Sequence, residues 1–342
     1  MGRPAFARRT ALRPAAQRGA AILLAMLILV LVATISAGML WQQNRSLQVE
    51  AAERARAQSV WILSGAQDWA RLILREDLRG SGGQGAKAVD SLNEPWATPL
   101  AEARLSTFLA ADKDNNADGG PEAFLSGGIV DAQSRWNLRN LIDAAGKEVP
   151  AEVAALQSLC SQANVPADTA QRIVAGLRSA WAPAFVPGQT AAPAASNDDA
   201  ILPPGRLADL AWLGIAPAAL ERLTPWVDVL PVPTPVNVNT APREVLVAAI
   251  PGLDLGSAER LVQARQRKPF ESADDIKAQL PVGLLKNANR VSVSSSWFWV
   301  SGRLRLEDRA VEERSLLERR GNDLLVVRRE RLSLVTATAE PP

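Results

Sequence analysis

Histidine and tyrosine are absent from this 342-residue chain, and cysteine occurs once. Without histidine there is no Ser-His-Asp or Cys-His catalysis, no imidazole ligand for zinc, and no side chain whose ordinary pKa falls between about pH 5 and 8. No nucleophile–base spacing among the remaining residues replaces these, so the chain reads as a non-enzyme. Cys160 has no partner for an internal disulfide. It shares an apolar helical pattern with Val153, Leu156 and Leu159, the setting of a core residue rather than a reactive thiol. Net charge is also scarce, with 38 basic residues against 36 acidic. Residues 1–19 hold five arginines (Arg3, Arg8, Arg9, Arg13, Arg18) and no acid; setting those aside leaves 33 basic and 36 acidic residues. The body therefore lacks the basic footprint of a nucleic-acid binder, and none is expected as a partner.

What the sequence does have is one long apolar run. Ala20 to Leu40 is twenty-one residues without a charge, which as a helix rising ~1.5 Å per residue spans a bilayer core of ~30 Å. The arginines before it stay cytoplasmic by the positive-inside rule, which sends the rest across the inner membrane into the periplasm. An uncleaved anchor and a cleavable secretory signal are two readings of this segment, but the run is long for a secretory signal. A third follows from Gln17-Arg18-Gly19-Ala20-Ala21, where a basic residue and a glycine stand directly before the apolar run, as in a prepilin-type leader.

Beyond the membrane segment, residues 41–78 contain no proline, no glycine before Gly65, and helix formers throughout, so the helix is expected to continue to about residue 80. Val60, Leu63, Ala66 and Ile73 mark an apolar face, expected to lie exposed for partner helices. Residues 290–335 switch to β-branched and aromatic runs with a Gly-Asn-Asp turn, and with Gly128-Ile129-Val130-Asp131 they predict a small antiparallel sheet. Between them the pattern is helical, with helices predicted at 150–162, 167–181, 206–213, 217–227, 241–250, 256–267 and 272–280. Residues 184–206 form a low-complexity surface loop.

The leader, the long helix, IVDAQSRWNLRNLI at 129–142 and VNVNTAPREVLVAAIPGLDLGSAERLVQARQRKPFESADDI at 236–276 together resemble the minor pseudopilins of type II secretion systems, in particular the general secretion pathway protein K family. The resemblance covers nearly the whole chain after the leader. It implies an α+β fold: a type IV pilin-like long N-terminal helix on a small antiparallel sheet, with a large inserted all-α region containing helix-hairpin-helix/SAM-like modules. The divisions it implies are a cytoplasmic leader at 1–19, a transmembrane segment at 20–40 and its helical continuation at 41–80. A β region follows at 81–135 and 286–335, with the helical insertion at 136–285, divided into about 136–232 and 233–285.

It further implies cleavage by prepilin peptidase after Gly19, leaving Ala20 as an N-methylated terminus. Leu24 then stands at the fifth mature position, where most pilin-like proteins carry a membrane-buried glutamate that pairs with a neighbour's terminal amine; its absence is a mark of the K family. The implied partners are minor pseudopilins of the I and J classes and the major pseudopilin. The implied place is the pseudopilus tip, serving export of folded periplasmic proteins across the outer membrane.

Two motifs carry alternatives. The stretch 236–276 also resembles a helix-hairpin-helix, and a membrane-anchored DNA-binding or uptake protein is the competing reading. Asp254 occupies the place of the second turn glycine, however, and residues 240–280 balance six basic against six acidic side chains. Asn239 or Thr240 is expected to cap the helix that Pro242 opens, and Asn137 and Asn140 to serve as turn and cap residues. In the acidic stretch 112–122, Asp112, Asp114, Asn116, Asp118 and Glu122 offer oxygen ligands, and Asp114-x-Asn116-x-Asp118-Gly119 repeats the opening of an EF-hand loop. The twelfth position holds Leu125 rather than the bidentate glutamate, so the loop reads equally as a calcium site or a solvated acidic turn; calcium is associated with the resembled family.

Overall fold

The structure, a computed structural model, describes residues 18–81, 89–105, 123–181, 202–285, 288–306 and 309–335. It comprises two compact units, Met1–Trp61 and Ile62–Pro342. One helix, α1 (Arg18–Ser81), supplies the described part of the first. Residues 20–51 of it are exposed throughout, and it is the one helix among the described residues long and apolar enough to cross a membrane. Two of its hydroxyls bond back to the helix: Thr34 Oγ1 donates to the Leu31 carbonyl at 2.9 Å and Ser46 Oγ to that of Gln43 at 2.8 Å. Such back-bonding is how polar groups are tolerated on an apolar helix.

In the second unit, the end of α1 lies on a five-stranded antiparallel sheet. Strands β1 (Leu100–Arg104) and β2 (Ala123–Asp131) come before the helical region, and four two-residue strands lie within it: β3 (Trp136–Asn137), β4 (Val227–Asp228), β5 (Val236–Asn237) and β6 (Val291–Ser292). Strands β7 (Trp297–Leu306), β8 (Arg309–Arg320) and β9 (Asp323–Val335) follow it. The sheet order is β1-β2-β7-β8-β9, so its halves come from opposite sides of the helical region. The β8–β9 hairpin closes through Gly321-Asn322, with Gly321 at φ 60°, a left-handed conformation that glycine adopts at no steric cost.

Leu63, Ala70 and Leu74 of α1 are buried against Trp96, Leu125, Phe298, Leu304 and Leu317. This corrects one expectation: the face running through Leu63, Ala66 and Ile73 is not exposed for partners but covers the chain's own sheet. The outward positions of the same stretch are Gly65, Trp69, Leu72 and Glu76, with Trp69 and Leu72 about half exposed. Close packing of helix on sheet needs Gly302, where a Cβ would sit 3.2 Å from Leu63 Cδ2.

The helical region contains α2 (Pro150–Gln162), α3 (Thr169–Ala180), α4 (Pro217–Leu223), α5 (Arg243–Ala249), α6 (Leu255–Arg267) and α7 (Ala273–Ala278) around one large apolar core. Proline opens α2 and α4, as the sequence predicts. The predicted 217–227 helix stops at Leu223 because Pro225 cannot continue it, and the chain then pairs as β4 with β3. The predicted 206–213 helix is a 3-10 helix, Leu207–Leu213, ended by Gly214 at φ 73°. Cys160 is buried in the core, where burial pushes its thiol up to about 11, in keeping with an inert residue.

Candidate functional site

Gly19 and Ala20 lie in the first turn of α1, and Ala20 and Leu24 are exposed. Asp112, Asp114, Asn116, Asp118 and Glu122 lie outside the described residues.

A concentration of buried polar groups joins the sheet to the helical region. At its centre is Asp131, the last residue of β2, 2% exposed. Its Oδ2 accepts hydrogen bonds from Thr240 Oγ1 at 2.6 Å, Ser295 Oγ at 2.6 Å and Asn237 Nδ2 at 3.0 Å, while Oδ1 accepts the Gln133 backbone N–H at 2.7 Å. Asn237 donates in addition to the Asp90 carbonyl and Ser295 Oγ, each at 3.0 Å, and its Oδ1 accepts the Asn239 N–H. Gln133 reaches the Pro235 carbonyl with its Nε2 and accepts the Ser296 N–H at 2.6 Å. Asn239 closes the ring by bonding both the N–H and carbonyl of Phe270.

Three chain segments, 131–133, 237–240 and Ser295, thus meet on one carboxylate, and Asn237 ties in Asp90. Burial raises Asp131 to about 6, against the opposing pull of the Ser295 and Thr240 hydroxyls. The expectation that Asn239 or Thr240 caps the helix after Pro242 is corrected here. Pro242 itself is the cap residue and receives no side-chain cap, because both side chains are turned inward to this junction.

Beside it, Asn137 caps its own turn, as predicted, by accepting the Arg139 N–H at 3.0 Å, but it also accepts the Leu230 N–H and donates to the Val232 carbonyl and Thr234 Oγ1. Asn140 makes a reciprocal pair with the Thr234 backbone. Trp136 donates its indole N–H to Glu152, which is held in turn by Arg290 at 2.6 Å. These pairs clamp residues 129–142 onto 228–240, two stretches far apart in the chain.

A second cluster ties the end of α1 to β8. Arg319 is buried, donates to Asp90 Oδ1 at 2.7 Å and Asp77 Oδ2 at 3.2 Å, and lies over the Phe298 ring at 4.6 Å. Carboxylate oxygens of Asp77, Asp90 and Glu94 fall within 4.8 Å of one another, the spacing that could hold a cation. In this structure the Arg319 guanidinium supplies the positive charge between Asp77 and Asp90. Burial raises Glu94 to about 7, opposed by the Trp96 indole N–H that it accepts, and raises Asp77, opposed by Arg319. Neither Asp77, Asp90 nor Arg319 stands out in the sequence; only a fold that crosses α1 over β8 brings them together.

Helices α5 and α6 form a hairpin around Gly252 at φ 83°. Asp254 turns its carboxylate onto the start of α6, accepting from Ser257 N at 2.9 Å and Ser257 Oγ at 2.7 Å, and these bonds hold it below the usual carboxylate range. The helix N-terminus that would otherwise meet a phosphate is taken by the chain's own anion. Arg265 is buried and donates to the carbonyls of Val238 and Ala241, and Arg243 is paired with Glu244 and Glu259. The hairpin thus spends its helix N-terminus and the cations Arg243 and Arg265 on contacts within the chain.

Residues 134–232 and 236–294 each match a family model described as type II secretion system (T2SS), protein K. The chain is 29% identical over 313 residues to the type II secretion system protein K of Pseudomonas aeruginosa, covering 89% of both chains. By these matches the chain is similar, over most of its length, to the type II secretion system protein K family. A relative of the same description from Pectobacterium carotovorum subsp. carotovorum is 28% identical over 340 residues, covering 92% of this chain and 96% of that one. The fold is shared with a chain in the crystal structure of the GspK-GspI-GspJ complex from the enterotoxigenic Escherichia coli type 2 secretion system. That match has a TM-score of 0.58 at 19% identity and covers 82% of this chain and 98% of the other. The junction built on Asp131, Asn237 and Thr240 lies where residues 129–142 meet 236–276, the two stretches whose resemblance first suggested this family.

Proposed function

We propose that this chain is a minor pseudopilin that caps the pseudopilus tip and promotes its assembly for export of folded proteins across the outer membrane. The observation that carries it is architectural: an exposed apolar helix runs on into a stretch whose inner face covers a pilin-like sheet, and a large helical region of the protein K family is spliced between the strands. Such a molecule binds and positions.

Cleavage after Gly19 leaves the whole apolar segment in the mature protein, with Ala20 at its start. Leu24 offers no carboxylate to a neighbour's terminal amine, so this subunit does not make the pairing that ordinary subunits use below the tip. The bulk of residues 136–285 argues the same way, since a subunit within a closely packed filament has no room for it. By analogy with the solved complex, the partners are minor pseudopilins of the I and J classes. The outward ridge of Gly65, Trp69 and Leu72 fits them, with the glycine admitting a neighbouring helix and the flanking apolar side chains covering it. The α5–α6 hairpin serves as a protein-contact module of helix-hairpin-helix type. Calcium would bind through Asp112, Asp114, Asn116, Asp118 and Glu122, in the segment that joins β1 to β2.

Intact mass of the protein expressed with and without prepilin peptidase tests the reading. Loss of residues 1–19 with a methylated Ala20 is the expected result; an intact leader, or cleavage near Ala37, overturns it.

A further inference from the structure

We propose that Trp41 and Arg45 form a collar that binds phospholipid headgroups at the outer face of the membrane and fixes how deep α1 sits. The proposal rests on the reading of residues 20–40 as a membrane span and adds what sets its register. Trp41 is the first residue after the uncharged run, and Arg45 is the first charged one. They are four residues apart on one face of the helix, and the Arg45 guanidinium lies over the Trp41 ring at 5.7 Å from its centroid. Trp41 is 67% exposed, and among the described residues Arg45 pairs with no carboxylate. An indole whose body is apolar and whose N–H is polar partitions to the headgroup layer, and an unpaired guanidinium beside it matches a lipid phosphate.

The spacing agrees with the dimensions of a bilayer. Twenty-seven residues separate Arg18 from Arg45, about 40 Å of helix, against about 40–45 Å from one headgroup layer to the other. Removal of the leader puts the Ala20 amine in the place of Arg18, about 38 Å from Arg45 at the same rise per residue. The side chains between the pair, Gln42, Gln43 and Asn44, are polar but uncharged, as interfacial positions tolerate. The first acids, Glu50 and Glu53, come more than a turn later, clear of the phosphate plane, and Glu50 is held by Arg54 at 2.5 Å. The collar is thus a single basic and aromatic step between an apolar helix and its charged continuation.

Cysteine scanning of the full chain in spheroplasts tests this. In a Cys160→Ser background, single cysteines from 36 to 52 are challenged with a membrane-impermeant maleimide, alone and together with Trp41→Ala and Arg45→Ala. A sharp edge of labelling within 41–46 is expected, moving by about one helical turn or spreading over several residues in the double variant. Trp41→Tyr with Arg45→Lys restores it. An edge that stays at the same residue in the double variant overturns the collar while leaving the span intact. Equal labelling from 36 to 52 in every background overturns the span itself, a signature distinct from a fixed edge.

Discussion

Replacing Asn237 with alanine removes the two amide N–H donors that Asp131 Oδ2, the Asp90 carbonyl and Ser295 Oγ share, and the oxygen that accepts the Asn239 N–H. Asn237 is 0% exposed, so water does not replace the lost partners. With about 1–3 kcal/mol for each buried group left unpaired, and the Asp90 carbonyl and Asn239 N–H the groups most fully orphaned, the cost is about 3–5 kcal/mol.

The same substitution changes the response to pH. Asp131 titrates at about 6 in the folded protein, roughly two units above an ordinary aspartate, so the folded state binds the proton more tightly than the unfolded one. The contribution of this group to stability therefore rises as pH falls from about 8 to about 4, by up to about 3 kcal/mol, and the raised Glu94 acts with the same sign. Loss of the Asn237 donor disfavours the Asp131 carboxylate further, which moves the folded pKa up and steepens the gain on acidification. Urea unfolding of the full chain in detergent, followed by tryptophan emission, should give a deficit for Asn237→Ala that is largest at pH 8 and smaller at pH 5. A deficit below about 1 kcal/mol at pH 8, or one that does not change with pH, would refute the account of the junction.

Gly127→Ala should cost about 1–3 kcal/mol, because the new Cβ would stand 2.3 Å from the Ser301 carbonyl on the paired strand; an unchanged urea midpoint would show that the strands have room. Arg265→Met keeps the stem of the side chain but strands the carbonyls of Val238 and Ala241, with an expected loss of about 2–4 kcal/mol read from the same unfolding curves. Gly65→Leu on the outward face of α1 should leave the isolated chain at least as stable, with a gain of up to about 1 kcal/mol from removing a glycine inside a helix. Its effect should be to reduce co-purification with coexpressed I- and J-class minor pseudopilins at least tenfold, and undiminished recovery would place the partner contact elsewhere.

Much of the fold is written in local signals. The charge-free run to Leu40 and the absence of proline through residue 78 specify α1; the prolines opening α2 and α4, and the glycine of the β8–β9 turn, are equally direct. The errors came where tertiary context decides. The Leu63 face is apolar whether it meets a partner or its own sheet, and periodicity does not distinguish the two. Asn237 and Thr240 stand at positions where capping is the common local use, but long-range burial redirects them to Asp131. The apparent strand from residue 290 onward breaks at Ser294–Ser296 because Ser295 is drawn into the same junction, leaving β6 and β7 in different sheets. The Asp77–Asp90–Arg319 cluster has no local signal at all, since its members become neighbours only when α1 lies across β8.

The placement of the helical region between β2 and β7 sets an order on folding. Asp131 pairs with Phe298, and the 166 residues from 132 to 297 intervene. Closing a disordered loop of that length costs about 4–5 kcal/mol in chain entropy before the first strand pair forms. A helical region that folds first removes most of that cost. Its contacts are more local, and once its core has formed it delivers both ends of the gap to one point, where the Asp131 carboxylate takes the Ser295 hydroxyl at 2.6 Å. The central strand pair then has only a short span to close. The inserted region is, on this reasoning, the folding template of the sheet that carries it, and the sheet is completed last.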